Sequence, residues 1–411
     1  MAEATDPQLE MLDRLLGTVQ ETNAFQRARL SGTRVRTPAD LQRLPFTTKG
    51  DLLLDQSLSP PFGTNMTFPL ERYTHLHLTS GTVGEQLRVL QTAEDWLTTR
   101  RCFALVLREA GITAADRVAL PFPFGAYLQF WAAAAGVEDV GALALPLGGL
   151  EGRERLRAVA EFEATAIVCT PSYALALIDV AVESGLEDAF ASVRAVICQG
   201  EPGASIPAAR ERIEEGWGAK VFDHAGSTEV GVFSYPCAVG GGMHVNGGDF
   251  LCEILDPMSG APAAAGSQGE LVLTALTRYG FPAIRFRSGD VVDVSGACPG
   301  GHDDVWLSNG IVGRTDDMVV IRGMNVFPSV IEQAIREAGV LGEYRIRFYT
   351  EETERDEIRV LVEATDPALV RTIEARIYER LALRVRVVPV MPGVLKAERL
   401  KARRVEDQRE R

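Results

Sequence analysis

A chain of 411 residues with 42 Lys and Arg against 56 Asp and Glu carries a formal net charge of −14 and is long enough for two or three domains whose cores need no covalent staples. Apolar residues make up 46% and charged residues 24%, which excludes disorder, collagen-like repeats and coiled coil. The acidic balance argues against a nucleic-acid-binding surface over the whole protein, and six cysteines in this length make no disulfide scaffold.

The start, MAEATDPQLEMLDRLL, has early acids and no apolar core, so neither a signal nor a transit peptide is expected. After LPFTTKGDL (Leu44 to Leu52) comes LTSGTVGEQLRV (Leu78 to Val89). Small residues there let a turn approach a polyanion, and hydroxyls and backbone N–H groups can hold phosphate oxygens. It lacks the GK[ST] ending of a P-loop NTPase, and taken alone it reads more readily as a polar hairpin loop. The uncharged run Val118 to Val137 is long enough to span a bilayer. Pro121, Pro123, Gly125 and Gln129 interrupt it, so it predicts a buried strand followed by an Ala-rich core helix, and a cytoplasmic protein without a membrane partner.

RVALPFPF, GALALPL, AIVCT and AVICQG read as buried strands, and ESGLEDAFASV and PAARERIEEGWG as helices. This alternation predicts an α/β fold with largely parallel sheets. FDHAGSTEVG places Glu229 after a tight turn that follows a strand, where a carboxylate can hold Mg²⁺ against a phosphate or merely decorate a helix cap. From about Leu251 the texture becomes strand-rich (FLCEILDP, GELVLTAL, AIRFRSGDVVDV, DDVWLSNG), a smaller β subdomain in which Asp290 closes a Ser-Gly turn. Beyond Gly313, a strand, a helix, a strand pair, a second helix and a last strand make a compact α+β module large enough to move as a body. The last sixteen residues hold seven Lys or Arg and four Asp or Glu, the composition of a solvated tail.

Cysteine and histidine spacing raises a metal site. Cys237 and His244 in YPCAVGGGMH, with Cys298 and His302 in GACPGGHDD, could make a tetrahedral zinc site from two loops. Cys102, Cys169 and Cys198 lie in apolar runs and are expected to be buried and inert.

Taken in this order, LPFTTKGDL, LTSGTVGE, FDHAGSTE, AIRFRSGD and GRTDDMVVIRGMNVFPSVIE resemble the adenylate-forming superfamily, and within it the phenylacetate-CoA ligase branch, from about Leu41 to Asp407. The resemblance implies an N-terminal adenylation domain over 1–315, holding the ATP and acyl sites, and a mobile C-terminal domain over 316–411 with Asp316 as its hinge. Thr79, Ser80, Gly81, Thr82 and Gly84 would lie over the ATP phosphates, and Glu229 would hold Mg²⁺. Gly200, Glu201 and Pro202 would border the adenine and acyl sites, Asp223, His224, Gly226 and Thr228 would help bind the nucleotide, and Asp290 with Arg314 would grip the ribose. Lys401 in LKARRVED would be the catalytic lysine, with Lys396 as runner-up; Phe124, Gly125 and Tyr127 would form an aryl-binding wall or simply be core. Some relatives in this branch bind zinc through a Cys-x-Cys-Gly loop, whose second Cys is here Gly300, so His302 replaces it or the site is lost.

The implied activity is an ATP-dependent ligase for a carboxylic acid, expected to be an aryl acid, that forms an acyl-adenylate with release of pyrophosphate and passes the acyl group to a thiol, by default coenzyme A. The rivals are transfer to an acyl carrier protein or an amine, and a non-catalytic nucleotide- or acyl-binding protein. A homodimer is a further expectation. Glu85 and Gln86 stand where relatives carry Lys-Pro, and Ala225 where an aromatic residue packs on adenine.

Overall fold

The computed structural model describes residues 5–79, 86–239, 241–315, 319–321, 324–326, 328–340, 343–350, 355–364, 366–381, 383–395 and 404–409. The chain divides into two compact units, Met1–Ser205 with Arg212–Ile311, and Ile206–Glu211 with Val312–Arg411.

Five short parallel strands form the spine of the first unit, in the order Leu143–Pro146, Arg117–Leu120, Ala166–Cys169, Ala195–Cys198, Lys220–Asp223. Successive side chains point to opposite faces, so the sheet feeds two cores. Val118, Leu120, Val168, Ala195 and Ile197 pack with Phe103 and Leu107 of helix Ala93–Glu109 and with Leu128 and Ala132 of helix Leu128–Val140. Ala119, Ile167, Val196 and Val221 face Leu156, Leu177 and Trp217 on the other side. The uncharged run is therefore a strand, a loop and a buried helix that ends at Gly141, whose φ of 83° suits a residue without Cβ. Among the described residues no helix is long and apolar enough to cross a membrane.

The stretch ESGLEDAFASV is not a helix of its own. Its first two residues finish helix Pro171–Ser184, which stops at Gly185 (φ 63°) inside the stretch, and a 3₁₀ turn, Glu187–Phe190, follows. The expectation rested on composition and overlooked the αL stop that glycine provides. Cys102, Cys169 and Cys198 are buried as expected, and burial raises the thiol pKa of Cys102.

The β-rich segment forms an antiparallel sheet of Phe250–Leu255, Gln268–Ala275 and Phe286–Asp293. A smaller sheet joins Ser234–Pro236, Met243–Val245 and Trp306–Leu307. In the second unit, strands Arg386–Val390, Asp356–Glu363, Tyr344–Thr350 and Val405–Asp407 form a mixed sheet. Helices Pro328–Glu337 and Pro367–Leu381 contribute Ile331, Ile335, Ile373 and Ile377 to its core. Part of the charged tail is thus an edge strand, held by Arg404 to Glu343 (3.0 Å) and by Glu406 to Arg345 and Arg347 (both 2.7 Å).

Candidate active site

The carboxyl ends of parallel strands are where an open α/β sheet binds ligands, because the connecting loops separate there. Gly200 follows strand Ala195–Cys198 with φ 87°, opening the turn in which Glu201 accepts a hydrogen bond from Ser172 N (2.6 Å). Asp223 ends strand Lys220–Asp223 and accepts from Ser205 Oγ (2.5 Å). Next comes a tight hairpin of Gly226–Ser227 against Gly231–Val232, with Thr228 and Glu229 in its turn. Ser227 Oγ accepts from Val230 N (3.1 Å) and fixes that turn.

Glu229 is only 9% exposed, and its Oε1 lies 3.3 Å from Lys49 Nζ. Lys49 arrives through a chain of local devices. Thr47 bridges to the start of strand Phe286–Asp293, donating N–H to Arg285 O (3.0 Å) and accepting from Arg287 N (2.9 Å). Thr48 then caps the helix Lys49–Leu58 in a capping box with Asp51. Behind them the buried guanidinium of Arg285 pairs with Glu253 (Nη2 to Oε1, 2.8 Å), donates to Leu44 O (2.6 Å) and stacks over Phe46. The Leu44–Leu52 signature is therefore a clamp that delivers one cation to one carboxylate. Lys49 had no role from sequence, although it stood within that motif.

The hairpin Tyr73–Leu78 and Arg88–Thr92 leads into and out of the glycine-rich loop. Thr79 N donates to Leu87 O and Leu87 N donates to Thr79 Oγ1, both at 3.1 Å, so the base of the loop is closed like a hairpin. Ser80, Gly81, Thr82 and Gly84 lie outside the described residues, as do Glu85, Asp316, Lys396 and Lys401. Leu78 N donates to Ala126 O (2.8 Å), tying this hairpin to the segment that holds Phe124, Gly125 and Tyr127. Phe124 is half-buried against the core and packs on Phe122 and Trp131; Gly125 is exposed and accepts from Trp131 Nε1 (2.7 Å); Tyr127 is 38% exposed. Asp290 lies in strand Phe286–Asp293 of the first unit, and Arg314 in strand Gly313–Arg314 of the second.

Three of the four expected metal ligands converge. Ligand atoms of Cys237, His244 and Cys298 all lie within 4.8 Å of one another, with the two sulfurs 3.5 Å apart. That is close to the edge of about 3.7 Å in a tetrahedron of zinc–sulfur bonds. His244 Nδ1 is turned to Asp304 O (3.3 Å), while its Nε2 is buried with no partner among the described residues. Burial lowers the His244 pKa and favours the neutral imidazole that a metal needs. Gly300 N donates to Cys298 Sγ (3.3 Å). The fourth, His302, is exposed on its loop with its ring 4.7 Å from that of His244. The donor set fits a metal that takes nitrogen and sulfur.

Comparison with known proteins agrees with this geometry. The AMP-binding enzyme family matches residues 25–275, and the AMP-binding enzyme C-terminal domain matches residues 323–409. The chain is 32% identical to phenylacetate-coenzyme A ligase of Escherichia coli over 86% of its own length and 79% of the relative. It is likewise 32% identical to phenylacetate-coenzyme A ligase of Thermus thermophilus over 88% and 81%. A crystal structure of 2-hydroxyisobutyryl-CoA ligase in the postadenylation state superposes with a TM-score of 0.85 at 30% identity, covering 98% of this chain and 89% of that one. Fold and site thus define an acyl-adenylate-forming enzyme, an AMP-forming acid–thiol ligase. The chain belongs to the AMP-binding enzyme family, in its phenylacetate-CoA ligase branch.

Proposed function

We propose that this protein joins a small carboxylic acid to coenzyme A in two half-reactions, in the cytoplasm. In the first, a carboxylate oxygen attacks the α-phosphorus of ATP; the new acyl–phosphate bond forms as the bond to pyrophosphate breaks. In the second, the coenzyme A thiol attacks the acyl carbon, loses its proton, and AMP leaves. The observation that carries this reading is the buried Glu229 at the carboxyl edge of the parallel sheet, held by Lys49.

Mg²⁺ held at Glu229 would neutralise triphosphate charge. Lys49 supplies a positive charge beside that carboxylate, where Glu85 and Gln86 leave the glycine-rich loop without one. Thr79 with Ser80, Gly81, Thr82 and Gly84 would hold the phosphates, Asp290 and Arg314 the ribose, and the Gly200–Pro202 turn the base. Lys401 would steady the negative charge that builds in the first half-reaction, and rotation about Asp316 would withdraw it for the second. Cys237, His244 and Cys298, completed by His302, would hold a structural zinc ion that ties their two loops together.

Acid-dependent pyrophosphate release, measured with and without coenzyme A, tests the reading. A thioester is expected with coenzyme A and free adenylate without it; Lys401→Ala is expected to lower pyrophosphate release about 100-fold. Acyl transfer to a carrier protein or an amine in place of coenzyme A would replace the acceptor. No pyrophosphate release from the wild type with any acid would overturn the ligase reading in favour of a binding protein.

A further inference from the structure

Most buried polar side chains in a folded protein find hydrogen-bond partners, so a cluster that does not is a pointer to what binds there. Gln129, Gln199 and His224 are such a cluster. Both amide atoms of Gln129, both of Gln199 and both ring nitrogens of His224 are buried with no partner among the described residues. Gln199 is 4% exposed and His224 2%.

The three share one face of the parallel sheet. Gln199 continues strand Ala195–Cys198, its N–H donating to Cys169 O (3.0 Å), and His224 continues the neighbouring strand, donating to Cys198 O (3.2 Å). By strand alternation Gln199 follows Ala195 and Ile197, and His224 follows Phe222, onto the face covered by helices Ala93–Glu109 and Leu128–Val140. His224 confirms this with its ring edge-on to Phe103 at 5.0 Å. Gln129 reaches the same layer from the second of those helices. Its Nε2 lies against Gly226, where an added Cβ would sit 2.3 Å from it. Glycine at 226 thus leaves the room that the Gln129 amide occupies, at the base of the hairpin whose turn carries Glu229.

We propose that Gln129, Gln199 and His224 form the polar lining of the acyl pocket, and that the acid carries an uncharged hydrogen-bonding substituent, such as a hydroxyl, carbonyl or amide, away from the reacting carboxylate. This deepens the ligase reading and rests on it. Two amides offer donors and acceptors together, which suits a neutral polar group. Burial holds His224 neutral, lowering its pKa to about 4, so none of the three side chains would compensate a charged substituent. A wholly apolar acid would leave these groups unpaired in the complex, and sites built to hydrogen-bond a substituent reject analogues that lack it.

The test uses the full-length protein and acids matched in carbon skeleton, with and without a neutral polar group: benzoate with hydroxybenzoates, phenylacetate with hydroxyphenylacetates, and branched short acids with their hydroxy forms. Pyrophosphate release is expected to favour the polar member of the accepted pair by about tenfold or more in kcat/KM. Gln129→Leu and Gln199→Leu are expected to shrink that ratio to about twofold while the KM for MgATP stays the same. In the ligand-free protein each should raise Tm by roughly 1–3 °C, because an apolar side chain replaces an unpaired amide. A wild type that prefers the unsubstituted acid, or variants that keep the ratio or lower Tm, would overturn the proposal and leave the ligase intact. Absence of turnover with every acid would instead remove the ligase reading and this one with it.

Discussion

At the level of single residues, the proposed active centre depends on a carboxylate that would be costly to bury alone. Glu229 is nearly inaccessible, and Lys49 Nζ stands 3.3 Å away. Removing Lys49 leaves the Glu229 carboxylate in a poorly solvated place, a larger loss than the net worth of an exposed pair, whereas Lys49 itself keeps contact with solvent. Glu229→Gln is expected to reduce pyrophosphate release about 100-fold with little change in fold. Lys49→Met should raise the KM for MgATP about tenfold, equivalent to 1.4 kcal/mol, and leave the KM for the acid unchanged. Equal effects on both constants would show that Lys49 acts only on the fold. The thiol cluster makes its own prediction. Protein purified without chelator is expected to carry about one zinc per chain, falling to background in Cys237→Ser and Cys298→Ser. An oxidised Cys237–Cys298 pair and no metal would be the contrary result.

At the level of elements, what places Lys49 is a loop stapled to a sheet. The buried Arg285 adopts φ 44°, unusual for a residue with a side chain, and its guanidinium joins Glu253, Leu44 O and Gln42 O. Replacing it by Met would strand the Glu253 carboxylate and free the Leu44–Leu52 segment. A loss of about 3–5 kcal/mol in unfolding free energy is expected, read by urea denaturation, together with a raised KM for MgATP. Much at this scale was legible beforehand. Strands AIVC and AVIC are short, continuous apolar runs bounded by turn residues, as a strand buried on both faces requires, and their alternate side chains feed the two cores. ESGLEDAFASV was misread because helical composition said nothing of the left-handed Gly185 at its start. The tail has the dense charge of a solvated stretch, yet Val405–Asp407 is a strand whose Glu406 pairs with Arg345 and Arg347 across the sheet, and Arg404 just before it pairs with Glu343.

Across the whole molecule, buried imidazoles set the acid limit. His77 and His224 are both enclosed, and burial lowers each pKa from 6.5 to about 4. The folded protein keeps them neutral while the unfolded chain takes up protons first, so stability falls as pH drops from about 6.5 towards 4 and is independent of these groups above that window. Thermal denaturation from pH 7.5 to 4.5 should therefore show a falling Tm below about 6.5, and His224→Phe should flatten part of that slope. A flat profile in the wild type would count against neutral burial.

The sequence by itself determined the order of motifs, the strands of the parallel sheet and the family, because these depend on local pattern and on signatures that each sit in one stretch of chain. It could pair Cys237 with His244 by spacing, but not decide whether Cys298 would reach them. Only the tertiary structure brought Lys49 to Glu229, set three ligands within 4.8 Å, and turned Gln129, Gln199 and His224 to one face. Those meetings join segments far apart along the chain. Proximity of that kind is decided by how the sheet orders its strands and where the loops return, and no local periodicity records it.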